Sequence, residues 1–122
     1  MATLQLTITL TEDGALVPGF PITRSVTSTE VTGKQTFQRA TGGGYLELPM
    51  LSELADVNFV CLTTNKDVTV RFNDQSDGGL PLDANGVLVI ATCDISGSAT
   101  SQVSVDNSSG ETATLTAYVG GE

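Results

Sequence analysis

The chain is 122 residues long, which is enough for one domain with its own core and too short for two independent domains. Fourteen acidic residues against five basic ones give a formal charge of −9, so the surface repels phosphate backbones and anionic lipids. We therefore expect no direct nucleic-acid or membrane binding. Histidine is absent, which removes the commonest general base and transition-metal ligand, and we expect neither an enzyme nor a cofactor.

The first segment, TLQLTITLT, alternates apolar and polar side chains and predicts a half-buried strand. Leu4, Leu6, Ile8 and Leu10 share one face of it, and the Glu-Asp-Gly that follows predicts a turn. This N-terminus has no basic residue and no long apolar run, so it predicts neither a secretion signal nor a membrane span, and we expect synthesis in the cytoplasm. A second strand is predicted between residues 22 and 31, after an irregular stretch rich in Pro and Gly.

The middle of the chain predicts one short strand, a flexible connection and the only helix-like passage. The strand is GKQTFQRA, and the connection is the run Gly42 to Gly44. A phosphate-binding loop needs Lys and then Ser or Thr after its glycines, and here Tyr45 and Leu46 follow, so that interpretation fails. MLSELADV, residues 50 to 57, is expected to form at most one short helical turn.

Two hairpins are predicted in the second half of the chain. VNFVCLT is apolar on both faces, as in a central strand, and DVTVRFN alternates, so residues 57 to 73 predict an antiparallel hairpin. GVLVIATCD is another two-sided apolar strand, and QVSVDNSSGETATLTAYV predicts the second hairpin. The predicted fold class is all-β, a single antiparallel β-sandwich or jelly-roll-like small barrel of about eight strands. It spans residues 1–119, and residues 120–122 are expected to form a short flexible tail.

The loop VRFNDQSDGGLPLDANG invites comparison with a calcium site because it contains Asp74, Asp77 and Asp83. A helix-flanked calcium loop that starts at Asn73 requires an acid at its last ligand position, where Ala84 stands, and the flanks are predicted strands. The Gly and Asn residues instead predict two chain reversals around a Leu-Pro-Leu edge segment. We expect no metal site, although a weak calcium site of another geometry at Asp74 and Asp77 stays open.

The cysteines and arginines are few enough to consider one by one. Cys61 and Cys93 lie in apolar runs, where free cysteine behaves as a small buried hydrophobe, and we expect no disulfide between them. Arg24, Arg39 and Arg71 all stand in predicted strands. We expect each of them to pair with a carboxylate across the sheet, and a subunit contact is the alternative because Arg is enriched at interfaces.

From residue 57 onward the chain contains a two-sided strand, a polar turn, DVTVRFN, an acidic Ser/Gly loop, Leu-Pro-Leu, an Asn-Gly turn, an apolar strand and the closing VSVDNSSGETATLTAYV. Together these features resemble small virion proteins encoded by tailed bacteriophages. The ending, in which Asn-Ser-Ser-Gly separates a strand from a Thr-rich strand, carries most of the likeness. The group includes β-sandwich decoration, or cement, proteins that sit on the capsid exterior.

The resemblance implies a non-enzymatic virion structural protein, foremost a capsid decoration (cement) protein that binds the outer surface of the phage head. It would stabilise the head as an oligomer, a trimer or dimer, in contact with the major capsid protein or another virion protein. The alternatives are a tail or neck component, or a β-sandwich receptor- or carbohydrate-binding module that uses Tyr45. The residues themselves suggest a set of subunit or capsid contacts: Leu4, Leu6, Ile8, Arg39 and Arg71.

Overall fold

A computed structural model describes residues 1–42, 44–48, 54, 56–72, 79–95 and 103–122. Every regular element in these ranges is a β-strand, and all the pairings are antiparallel, which confirms the predicted all-β class. The strands are β1 (Ala2–Ile8), β2 (Thr11–Glu12), β3 (Ala15–Leu16), β4 (Ile22–Ser28), β5 (Glu30–Val31), β6 (Gln35–Arg39), β7 (Leu46–Glu47), β8 (Val57–Thr64), β9 (Val68–Phe72), β10 (Leu80–Leu82), β11 (Val87–Ile95), β12 (Val103–Asp106) and β13 (Ala113–Gly121).

Two of the sheets form a sandwich. The five-stranded sheet has the order β11-β8-β13-β5, and β6 also pairs with β13; the four-stranded sheet has the order β10-β9-β12-β7. The apolar, two-sided strand β8 has neighbours on both sides, as its sequence predicts, and the Leu-Pro-Leu strand β10 is an edge strand. Among the described strands the sheets keep open edges and do not close into a barrel.

The core lies between these two sheets. Along β13, Ala113, Leu115, Ala117 and Val119 alternate with polar residues and are at most 2% exposed, as the alternation predicts. Each large aliphatic side chain buried in this way stabilises the fold by about 1.5–3 kcal/mol. The other buried members of the core come from both sheets and from residues 48 and 54 outside the strands: Leu48, Leu54, Val57, Val60, Leu62, Val68, Val70, Ile95, Val103 and Val105.

The two predicted hairpins are wrong. β8 pairs with β11 and β13 in one sheet, whereas β9 pairs with β10 and β12 in the other. β12 and β13 are likewise divided between the sheets. The polar turn after β8 is tied locally, because Thr64 Oγ1 donates to Lys66 O at 2.7 Å and accepts from Lys66 N at 3.2 Å. Each pair of strands is therefore an arch over the core, since alternation shows which side chains face inward but not which strand lies alongside.

The predicted flexible tail at residues 120–122 is also wrong. Gly120 and Gly121 are the buried last residues of β13 and pair with β5 and β8. Asp56 and Glu122 then exchange two main-chain hydrogen bonds, of 3.3 and 2.9 Å. A Cβ at Gly121 would overlap the carbonyl of Asp56. The glycine pair therefore permits close approach of two backbones. In the sequence alone, two glycines near the end of the chain are also typical of a flexible tail.

The N-terminal residues form a separate two-stranded ribbon, β1 with β4, which we call the arm (residues 2–28). Its register runs from Ala2 opposite Ser28 to Ile8 opposite Ile22. Beyond Ile8 the β2–β3 hairpin turns at Asp13 and Gly14, whose φ values of 50° and 83° suit a tight two-residue turn and confirm the predicted reversal.

Three predictions concern the remaining loops. The helix-like passage 50–57 falls mostly outside the described residues, and so do Gly43 and the acidic loop residues 73–78 with Asp74 and Asp77. Gly42 and Gly44 have φ of 80° and 75°. The predicted reversal at Asn85 and Gly86 is confirmed, because Asn85 has φ 67° and Gly86 N donates to Asp83 O at 2.8 Å.

Candidate functional site

The base of the arm is fastened to the outer surface of the five-stranded sheet. Ser28 Oγ donates to Asn58 Oδ1 at 2.8 Å, and Asn58 Nδ2 donates to Thr27 O at 3.0 Å. On β13, Gly120 lies directly under the arm, since a Cβ there would meet Ser28 and the Leu4 side chain. Gly120 faces outward because its neighbour Val119 faces the core. The base of the arm therefore covers one row of the outer sheet surface.

The arm runs from this base toward the open edge of the sheet. Ser28 lies against β8 and β13, whereas Ser25 and Val26 share a hollow with Thr92 and Cys93 of β11, the edge strand. β11 itself bulges between Ala91 and Ile95, with Thr92 at φ 58°. We call residues 6–24, which lie beyond this hollow along the ribbon, the distal half of the arm.

The arm has one apolar and one polar face. Leu4, Leu6 and Ile8 lie directly opposite Val26, Arg24 and Ile22 and share a face with them, so the sequence prediction of a common apolar face for the three β1 residues is confirmed. The other face carries only Thr, Ser and Gln side chains from β1 and β4, with Thr7 Oγ1 and Thr23 Oγ1 3.3 Å apart.

Burial along the apolar face of the arm decreases from base to tip. Val26 is 5% exposed at the base, whereas Ile8 is 41% exposed, and Leu10 and Leu16 further out are 47% and 51% exposed. An isolated two-stranded ribbon is only marginally stable in water. The distal half of the arm thus presents aliphatic side chains that nothing in the described chain covers fully.

A second apolar surface lies on the outer side of the five-stranded sheet. Val87 stands opposite Thr63, which stands opposite Thr116, and Val89, Cys61 and Tyr118 form the next row. Val87 is 62% exposed, and the other five side chains are half-buried. No charged side chain occupies these positions, although the chain carries a net charge of −9. We call the six residues the outer sheet face: Cys61, Thr63, Val87, Val89, Thr116 and Tyr118.

The outer sheet face adjoins the row that the arm already covers. Tyr118 packs edge-on against Phe59 of the covered row, with ring centroids 6.2 Å apart and an interplanar angle of 82°. Burial in this apolar setting raises the pKa of the Cys61 thiol. The covered row and the outer sheet face are therefore one continuous apolar surface, of which the arm of this chain occupies only one end.

Arg39, one of the predicted contacts, lies away from the arm and joins the two sheets. Arg39 of β6 donates from Nη2 to the main-chain oxygen of Glu47 in β7, and its guanidinium lies 5.1 Å from the Phe37 ring centroid. Partial burial lowers the pKa of Arg39 and raises the pKa of the Glu47 carboxyl. The expected cross-strand carboxylate is thus wrong for Arg39. It is also wrong for Arg24, which donates to Thr23 O at 2.9 Å.

Arg71, the other predicted contact, lies on the outer side of the four-stranded sheet. It stands opposite Ser104, which stands opposite Glu47, so the three side chains share that side. The Arg71 guanidinium lies 4.0 Å from the centroid of the Tyr45 ring, in a cation–π contact. The structure therefore brings Leu4, Leu6 and Ile8 together and leaves Arg39 and Arg71 elsewhere.

Sites of other kinds have little support in the described ranges. No group of three or more His, Cys, Asp or Glu residues there is placed to hold a metal ion, and no helix there is long and apolar enough to span a membrane. Cys61 and Cys93 are both free thiols.

The sequence did contain a signal for the outer sheet face, namely the uncharged outward positions of three neighbouring strands. It could not be used without the strand order, because β8, β11 and β13 are distant in sequence.

Comparison of the chain with protein-family models, curated proteins and solved structures produced no match. The fold defines the chain as a small antiparallel β-sandwich with an N-terminal ribbon.

Proposed function

We propose that this chain is a non-enzymatic virion structural protein, a capsid decoration (cement) protein that binds the exterior of a phage head as an oligomer. The proposal starts from the resemblance of residues 57–119 to small phage virion proteins. The observation that carries it is that one sandwich has both an arm with exposed apolar side chains and an uncharged outer sheet face. Such features serve contact between proteins, since exposed apolar surfaces on soluble domains commonly mark interaction sites.

The charge of the chain supports a place on the outside of the particle. At −9, the protein is repelled by the packaged nucleic acid and gains nothing from contact with it. A cement protein stabilises a shell by binding the assembled state and not its separated subunits, so that the binding free energy adds to that of assembly. The major capsid protein is the partner proposed here.

A tail or neck protein could use the same two surfaces, so this alternative is retained and tested below. A carbohydrate-binding module needs an exposed aromatic ring on which a sugar can stack. Tyr45 is half-buried, and Arg71 lies against its ring. We therefore do not put that function forward.

The test locates the protein in particles. Particles of the phage that encodes this chain are purified, analysed by mass spectrometry and labelled with gold-conjugated antibody against it. Labelling over the head, with a lower DNA-release temperature for particles stripped of the protein and restoration on re-addition, is the expected result. Labelling restricted to the tail or neck would favour the alternative. Absence of the chain from purified particles would refute both virion roles.

A further inference from the structure

The distal half of the arm has an apolar face that the described part of the chain does not fully cover. The face consists of Leu6 and Ile8 with their cross-strand partners Arg24 and Ile22. Ile8 is 41% exposed, so the described residues of the same chain leave the outer part of this face open. A surface on another molecule is therefore free to cover it.

The base of the arm shows which kind of surface can cover the distal apolar face. Within one chain, Leu4 and Val26 already lie over the outer sheet surface at the row of Phe59 and Gly120. The distal residues continue the same apolar face of the same ribbon, and the outer sheet face continues the same sheet surface. The distal apolar face of the arm and the outer sheet face are therefore both apolar, like the base of the arm and the sheet row that it already covers.

The distribution of charge permits a second copy of this chain as the partner. Two copies, each with a net charge of −9, repel one another wherever acidic residues meet. β1 and β4 contain no acidic residue, and the outer sheet face contains none. The one charged group on the apolar face of the arm is Arg24, which is exposed and donates to Thr23 O, so the contact does not require an acidic partner for it. These two surfaces are thus among the few through which two copies can approach without repulsion.

We propose that the distal half of the arm of one copy packs on the outer sheet face of a second copy of this chain. The contact is head-to-tail, because it joins two different patches, and repeated contacts of this kind generate a ring if the rotation between copies closes. The inference deepens the oligomer named in the proposed function and rests on it. It identifies Leu6, Ile8 and Ile22 as one side of the contact and Val87, Val89 and Tyr118 as the other.

The experiment measures self-association of the purified full chain by sedimentation equilibrium over a wide range of concentrations, without capsids. Ile8→Glu and Val87→Glu each place a charge at the centre of one side, and each should weaken association by about 100-fold, since an unpaired charge is costly to bury. Both positions are largely exposed in the single chain, so the fold should be retained, which circular dichroism and the melting temperature check. Ile8→Thr and Val87→Thr, milder changes that keep β-branched side chains, should weaken association by about tenfold.

The matched controls are Thr7→Glu and Thr23→Glu, which add the same charge to the polar face of the same arm. They should change association by less than about threefold, because charges that stay exposed interact weakly. A wild-type chain that remains monomeric at every concentration would overturn the inference. So would an oligomer that the Ile8 variants leave intact, or one that responds to Ile8 but not to Val87.

The two proposals can fail separately. A chain that oligomerises through these surfaces but is missing from particles leaves this contact standing and removes the virion role. A chain that decorates capsids as a monomer removes this contact alone.

Discussion

Replacing Asn107 tests how the sandwich is held together at the end where β6 meets the turn between β12 and β13. Asn107 is 2% exposed. Its Nδ2 donates to Arg39 O at 2.8 Å and Glu111 O at 2.7 Å, and its Oδ1 accepts from Ser109 N at 3.1 Å and Ser109 Oγ at 2.7 Å. Both ends of the amide are therefore fully used. Asn107→Ala removes all four bonds and leaves a cavity.

The expected loss follows from these contacts. Each net hydrogen bond contributes about 0.5–1.5 kcal/mol, and water can reach part of the turn, so we expect Asn107→Ala to lower the free energy of unfolding by about 3 kcal/mol. For a domain of this size that corresponds to a fall in Tm of about 10–15 °C. Urea denaturation followed by circular dichroism measures the first quantity, and a thermal scan measures the second.

The matched control is Ser108→Ala, which changes an exposed neighbour in the same turn and should shift stability by less than about 0.5 kcal/mol. Asn107→Asp should be at least as harmful as alanine at neutral pH, because an ionised carboxylate cannot donate to the two carbonyls. Mild acid should restore part of its stability, since the protonated acid can donate again. A loss below about 1 kcal/mol for Asn107→Ala, or one equal to that of Ser108→Ala, would refute this reasoning.

Two further predictions concern β13 and β8. Gly121→Ala should lower the free energy of unfolding by about 2 kcal/mol or more, because the added Cβ overlaps the Asp56 carbonyl. The control Glu122→Ala should change the free energy of unfolding by less than about 0.5 kcal/mol. Equal effects of the two substitutions in urea denaturation would contradict the close backbone contact. In a Cys93→Ser variant, Cys61 should react with iodoacetamide at pH 8 more slowly than a cysteine in a short peptide. Burial raises the pKa of the Cys61 thiol, so less thiolate is present to react. A reaction rate equal to that of the peptide would contradict this prediction.

The sequence was sufficient to predict the longer strands and which of their side chains face the core, whereas the two-residue strands β2, β3 and β7 are too short to show alternation. Alternation in β1, β9 and β13 has a period of two residues, and no other regular structure has that period. Pairing could not be predicted in the same way. A hairpin and an inter-sheet arch need the same alternation on both sides of the same polar turn. The difference lies in contacts such as Val70 with Val105, which join residues far apart in the chain.

The candidate surfaces were predictable in part. The shared face of Leu4, Leu6 and Ile8 follows from alternation alone, and the structure adds that its outer part is left uncovered. The partners of Arg24 and Arg39 were not predictable, because a long side chain can reach a main-chain carbonyl as easily as a carboxylate, and sequence does not place those carbonyls. The outer sheet face required the strand order before its uncharged positions could be seen as neighbours.

The position of β13 bears on how this chain acquires its fold. β13 is the last strand in sequence, yet it lies inside the five-stranded sheet and supplies ladder partners to β5, β6 and β8. Those strands cannot complete their hydrogen bonds until residues 113–121 are available, so a ribosome-bound chain that lacks them has a sheet with a missing centre. The arm and the β9–β10 pair are local hairpins, which can form in about 1–10 μs. The sandwich must close long loops first, a topology that typically folds in milliseconds to seconds, and it therefore assembles around its final strand.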